Sequence, residues 1–203
     1  MKKTKSLESI KTALICITVA IFLNTNTLAQ PVDNRVVIGE KVTFKSNILD
    51  ENRTILVYLP QSYNQTDFCY PVMYLLDGGF HFHHTSGIVG FMSRAGIIPE
   101  MIVIGITNVD RNRDFSPTRT EQIPTSGGAE KFLSFLSDEL IPFVDRNYRT
   151  LPYEILVGHS FGGTFATYTL LNRPETFNAY IAISPYLQYD DADLVKKTKI
   201  HYY

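Results

Sequence analysis

The stretch EILVGHSFGG, residues 154–163, decides how the rest of this chain is read. Its first half is the apolar run of a buried strand, and its second half is Gly-x-Ser-x-Gly, with Gly158 and Gly162 two residues to either side of Ser160. A serine at the apex of a sharp strand-to-helix turn needs small residues at those two places, because the incoming and outgoing chains pass close to one another. Residues 161–171, FGGTFATYTLL, then continue as an apolar helix, so both flanks that such a turn requires are present. The turn lifts the Ser160 hydroxyl above a sheet edge. The helix N-terminus behind it presents N–H groups and the positive end of a dipole toward a developing oxyanion, with the Phe161 N–H as first donor. Gly-x-Ser-x-Gly recurs by chance as a bare pattern, and it is the strand before and the helix after that give it weight. A phosphate-cradling loop is the poorer reading, because Thr164 follows Gly163 where such a loop needs lysine.

Outward from the elbow, strands and helices alternate, which points to the α/β class: a mostly parallel sheet with helices on both faces. PVMYLL (71–76) and MIVIGIT (101–107) are near-continuous apolar runs, as expected of strands covered on both sides, and residues 179–184 read as a further apolar strand, expected to form an exposed sheet edge if the later strands are missing. Residues 36–44 and 54–59 read as an antiparallel pair with a turn at 49–53. Between 128 and 148, Phe132, Leu133, Leu136, Leu140, Phe143 and Val144 recur at helical spacing, opposite Glu130, Lys131, Asp138 and Asp145. Pro142 should kink or interrupt the last turns of that helix.

An oxyanion site needs a second donor, and the residues leaving the 71–76 strand, Asp77-Gly78-Gly79-Phe80, offer an N–H at Gly79 or Phe80. The same residues read as a plain tight turn if they have no such role. His81, His83 and His84 follow. Without acidic or cysteine partners at ligand spacing they suggest the rim of a binding cleft or local packing more than a metal site. His159 is a poor general base, since neighbours on an elbow point in different directions.

Composition narrows the class. The chain has 203 residues, 44% of them hydrophobic, and suits one core. Residues 1–30 are set apart as an expected cleaved export signal: Lys2, Lys3, Lys5 and Lys11 precede the apolar run 12–23, and small polar residues ending in Leu28-Ala29-Gln30 follow. An apolar run of about 12 residues is short of the roughly 20 that span a bilayer. The expected product is exported, periplasmic or secreted, with no stable membrane anchor. Without that segment Lys and Arg fall from 19 to 15 and Asp and Glu from 20 to 19, a charge of −4 that offers no basic field for nucleic acid. Cys69 then stands alone and no internal disulfide is expected. No residue pattern asks for a cofactor or metal.

The segments YLLDGGFHFHH (74–84), NVDRNRDFSPT (108–118), residues 127–150, ILVGHSFGGTFATYTLL (155–171) and YIAISPYLQYD (180–190) share order and spacing with a known family. The chain resembles the esterase family of α/β-hydrolases that includes the siderophore esterases of enterobactin and bacillibactin type and esterase D. The resemblance implies an α/β-hydrolase fold and hydrolysis of carboxylic esters of small molecules, possible siderophore-type esters among them, through an acyl-enzyme on Ser160. It also places Arg111, Arg113 and Asp114 in a segment shaping the cleft edge, with substrate contact by His81, Arg111 or Arg113 weighed against a salt-bridged surface loop. Family order puts an acid and then a histidine after later strands. Here Asp190, Asp191 and Asp193 come early, and His201 is the one downstream histidine. The expectation is that 31–203 is an esterase domain incomplete at its C-terminus, its last strands missing, its acid and base beyond Tyr203 and its activity impaired. Acyl transfer to another acceptor, or ligand capture by a degenerate hydrolase, remains open at this point.

Overall fold

Six strands, β1 (Glu40–Ser46), β2 (Glu51–Tyr58), β3 (Tyr70–Leu75), β4 (Ile102–Ile106), β5 (Thr150–His159) and β6 (Ala179–Ile183), form one sheet in the order β1-β2-β4-β3-β5-β6. The structure, a computed structural model, describes residues 35–190 together with 194 and 196, and the compact unit that holds the sheet begins at Val37. The segment 1–30, Asp191, Asp193 and His201 lie outside the described residues. β1 pairs antiparallel with β2, and β2 with β4, while β4, β3, β5 and β6 run parallel. The antiparallel pair is the expected one. Its turn, however, falls before Glu51 rather than across residues 49–53, because β2 extends back to carry Arg53 inward.

Alternation along β3 and β4 divides the interior between the two faces of the sheet. Val72, Tyr74, Leu76, Ile102, Ile104 and Ile106 join Phe132, Leu133, Phe165 and Val144 in the larger core. Met73, Leu75 and Val103 point the other way and pack with Phe82 and Val89. The helices that supply these partners are α1 (Gly78–Arg94) for the smaller core, and α3 (Ala129–Phe135), α4 (Ile141–Asn147) and α5 (Phe161–Asn172) for the larger. A short α2 (Arg111–Phe115) follows β4 and contributes Phe115. Helices therefore lie on both faces, as the alternating order requires.

The amphipathic segment 128–148 is broken into α3, a π-helical turn at Leu136–Leu140, and α4. Pro142 has no N–H to donate back along the helix, and the turn ahead of it widens. There Glu139 accepts from the Ser46 hydroxyl at 2.5 Å and the Asn47 and Ile48 amides at 2.8 and 3.0 Å, which ties the β1–β2 turn to the helix layer.

Candidate active site

The carboxyl ends of the parallel strands converge on one edge of the sheet, where open α/β sheets form their binding crevices. β5 ends at His159, and Ser160 follows with φ 55° and ψ −116°, a combination that glycine adopts readily and serine only when the surroundings impose it. The surroundings do impose it. A Cβ at Gly158 would lie 2.2 Å from the Gly162 carbonyl oxygen and 2.4 Å from its carbon, so the strand and helix cross with no room for a side chain. The Ser160 N–H donates to Ile183 O at 2.9 Å at the end of β6, and the Ser160 carbonyl accepts from the Thr164 and Tyr186 amides at 3.0 and 3.2 Å. Tyr186 is held in turn by the Thr164 hydroxyl, which donates to its carbonyl at 2.9 Å. Ser160 is half-buried, at the surface rather than in the core.

Just past the end of the neighbouring strand β3, Asp77 is the residue before α1 and takes left-handed angles, φ 52° and ψ 39°. Gly78 follows it against β4, where an added Cβ would sit 2.3 Å from the Gly105 carbonyl carbon. The DGG segment is thus the start of a 17-residue helix, not a free loop, and His81, His83 and His84 lie in its first two turns. The sequence does not announce that helix, because its histidines, glycines and threonine give no clear apolar face. The buried positions Phe82, Ser86 and Val89, spaced by four and three, are the faint signal of it.

The two candidate second donors differ. The Phe80 amide donates to the Asp77 carbonyl at 2.8 Å, and the His81 amide donates to the same oxygen at 3.0 Å. The Gly79 amide has no acceptor among the described residues, and neither does the Phe161 amide at the start of α5. The side chains around them carry the charges. The Asp77 carboxylate, buried, accepts from Arg111 Nε and Nη2 at 2.7 and 2.9 Å and from Asn108 Nδ2 at 2.5 Å. Arg113, expected at the cleft edge, is instead drawn into an ion network: it donates to both Glu51 oxygens at 2.6 and 3.0 Å and to Asp114 at 2.8 Å. Asp114 also receives Nη1 of the fully buried Arg53 at 2.8 Å. Arg113 is thus salt-bridged to Glu51 of β2 and to Asp114.

The His81 ring packs edge-on against His84 and His159, with centroids 5.1 and 5.6 Å apart. Together with Leu75, Val157 and Ile183 these rings line a cavity of about 270 Å³ beside the elbow. Burial holds the His81 imidazole below its usual range against the opposing pull of Asp77, with smaller contributions in the same direction as burial from His84, His159 and Arg111, so the neutral ring is favoured. A second cavity of about 330 Å³, between Thr120, Gln122, Tyr186, Tyr189 and Asp190, lies beyond Tyr186. Asp190, the first of the early acids downstream of the elbow, accepts from the Thr118 hydroxyl at 2.6 Å. A further cavity, about 870 Å³, opens at the opposite ends of the strands around Tyr70, Pro71 and Met101. It holds no strained serine or convergent donors, and chemistry favours the smaller site. Among the described residues no imidazole is hydrogen-bonded to the Ser160 hydroxyl, and no group of three or more His, Cys, Asp or Glu side chains could hold a metal ion.

Known proteins share this fold. Residues 46–194 match the family model described as "Putative esterase". The chain is 33% identical over 171 residues to ferri-bacillibactin esterase BesA of Bacillus subtilis strain 168, an alignment covering 73% of this chain and 59% of that protein. Over 91 residues it is 33% identical to the siderophore triacetylfusarinine C esterase of Aspergillus fumigatus, covering 44% and 31%. Among solved structures, an IroE-like serine hydrolase from Shewanella oneidensis superposes with a TM-score of 0.75 at 35% identity, covering 78% of this chain and 54% of that one. The siderophore hydrolase EstB from Aspergillus nidulans gives 0.71 at 25% identity, covering 83% and 63%. The chain therefore spans less than two thirds of the length of these proteins.

Proposed function

This chain belongs to the esterase family of the α/β-hydrolase fold, and from that premise we propose that it carries the nucleophile and oxyanion site of a serine carboxylic-ester hydrolase. The observation that carries the reading is the forced backbone of Ser160, held at φ 55° by a strand and helix that cross at Gly158. Strain of this kind persists where the fold over-determines it, and it sets the hydroxyl at the edge of the sheet.

In the proposed reaction a base takes the Ser160 proton as the oxygen attacks the ester carbonyl, and the carbonyl electrons move onto oxygen. The Phe161 and Gly79 amides, both without acceptors among the described residues, are the donors for that oxyanion, and Phe80 is set aside because its amide is engaged by Asp77. Collapse expels the alcohol with a proton, and water repeats the sequence on the acyl-enzyme. The imidazole and carboxylate for these transfers are assigned to residues outside the described ones. The substrate class proposed is a small ester of siderophore type, following the names of the relatives. For residues 1–30 the reading is an export signal, supported by the pattern of lysines and apolar residues. No helix among the described residues is long and apolar enough to cross a membrane.

A fluorophosphonate probe followed by intact-mass measurement tests the reading. One adduct is expected on the protein that includes the proposed imidazole and carboxylate, mapped to Ser160, and none on Ser160→Ala. That protein staying unmodified while binding a ferric siderophore would instead mark a ligand-capturing relative without an activated serine.

A further inference from the structure

The Asp77 carboxylate touches both halves of the proposed oxyanion site. It belongs to the residue whose left-handed backbone starts α1 and sets the direction of the Gly79 amide. Its Oδ2 also faces the elbow helix, 3.2 Å from where a Cβ would stand on Gly162, two residues from Ser160. Arg111 closes the arrangement from outside. Its guanidinium forks onto both Asp77 oxygens at 2.7 and 2.9 Å, while its planar carbon lies 5.7 Å from the Phe161 ring centre and 5.4 Å from that of Phe115. One side chain thus bears on the residue that precedes the Gly79 amide by two and on the residue that supplies the Phe161 amide.

We propose that Arg111, with Asn108, is a positioning residue: by clamping Asp77 and stacking on Phe161 it holds the Gly79 and Phe161 amides at a fixed separation, rather than binding substrate. This rests on the reading of Ser160 as nucleophile. The chemistry favours the assignment. A fork-to-fork contact fixes orientation as well as distance, which a single-point contact does not. Two of the three guanidinium nitrogens and both carboxylate oxygens are engaged inside the protein, which commits the fork to Asp77. Gly78 abuts the β4 backbone, which blocks movement of the segment toward that strand, and the ion pair holds the Asp77 side chain on the other side of the turn.

The test pairs hydrogen exchange, read by mass spectrometry on peptides spanning 76–82, 160–166 and β4, with the rate of fluorophosphonate labelling at Ser160. The proteins are the wild type, Arg111→Met, Arg111→Lys and Asn108→Ala. Removing the fork should speed exchange in both site segments, leave β4 unchanged, and slow labelling by roughly tenfold to a hundredfold, the range for a misplaced catalytic group. Arg111→Lys should recover little, because an ammonium group cannot make the two-pronged contact, and it serves as the second variant if methionine prevents folding. Asn108→Ala should show the same pattern more weakly. Slower labelling with unchanged exchange would mean that Arg111 meets the probe itself and would overturn the proposal, as would faster exchange spread through β4 or an unaltered labelling rate. A wild-type chain that resists the probe while Arg111→Met loosens only the two site segments keeps the clamp and removes the nucleophile reading.

Discussion

At the scale of single residues the site depends on two close approaches of backbone, and substitution there has a consequence that composition would not suggest. Gly158→Ala adds one methyl group, yet that carbon would lie 2.2 Å from the Gly162 oxygen, a backbone atom that no rotamer change can move aside. The expected cost is about 3 kcal/mol, at the upper end for overpacking, with loss of Ser160 labelling even where the protein still folds. Urea unfolding alongside the probe separates the two effects, and an alanine variant as stable and as reactive as the parent would show that strand and helix can part at this crossing. This part of the molecule was legible in the sequence because the steric requirement leaves a mark on residue type: only glycine fits at 158, and the pattern around Ser160 records it. The choice between the Gly79 and Phe80 amides left no such mark. It depends on where the Asp77 carbonyl points, a backbone matter that either side chain would tolerate.

Among the elements, β2 and α2 are joined by charges that strand periodicity hides. Arg53 sits in β2 between residues that point outward, takes an inward position and is fully buried, its charge met by Asp114 at 2.8 Å and Glu51 at 2.9 Å. Removing one partner of a buried pair strands the other, so Asp114→Ala should cost about 3 kcal/mol, more than truncating an exposed pair. Thermal or denaturant unfolding checks it. The network also has a pH signature. Hydrogen bonding from Arg113 holds the Glu51 carboxyl below the usual glutamate range, whereas burial pushes Asp114 up despite its two arginines. A depressed carboxyl contributes stability that is present above its unfolded pKa and lost as pH falls through its folded value. Unfolding free energies measured downward from neutral pH should therefore decline more steeply below pH 4.5, the ordinary glutamate value, in the wild type than in Glu51→Gln. Equal slopes would remove Glu51 from the account. Sequence reading separated Arg113 and Asp114 from their partners because Glu51 and Arg53 lie some sixty residues away, and nothing local in NRDF says which strand it will meet. The interruption at Pro142 was readable for the opposite reason: the missing N–H acts within its own helix, and the π turn at Leu136–Leu140 is the local answer.

For the molecule as a whole, the balance of cover over the sheet is uneven. α1 packs on Met73, Leu75, Val103 and Val157, and its reach ends near β5. On the same face, Ile181 and Ile183 of β6 stand opposite Val157 and His159 and are 44% and 48% exposed, with Tyr153 of β5 at 48%. β6 is also the outermost strand among the described residues, paired on one side with β5. An edge that combines unpaired backbone groups with alternate exposed isoleucines is a template for another strand, and natural edges of this kind are usually interrupted by lysine, proline or a bulge. β6, AYIAI, has none of these. An exposed edge at 179–184 was the expectation from the missing later strands, while the extent of the bare face depends on where α1 ends, which no local pattern records. The chain is expected to self-associate with rising concentration, and Ile181→Lys with Ile183→Lys to suppress this, since charges on the outer strand oppose edge pairing while leaving the larger core untouched. Light scattering across a concentration series, with circular dichroism to confirm that the double variant keeps its sheet, decides the matter. A wild-type chain that stays monomeric throughout the series, or a lysine variant that associates equally, would show that this strand does not govern contact between copies.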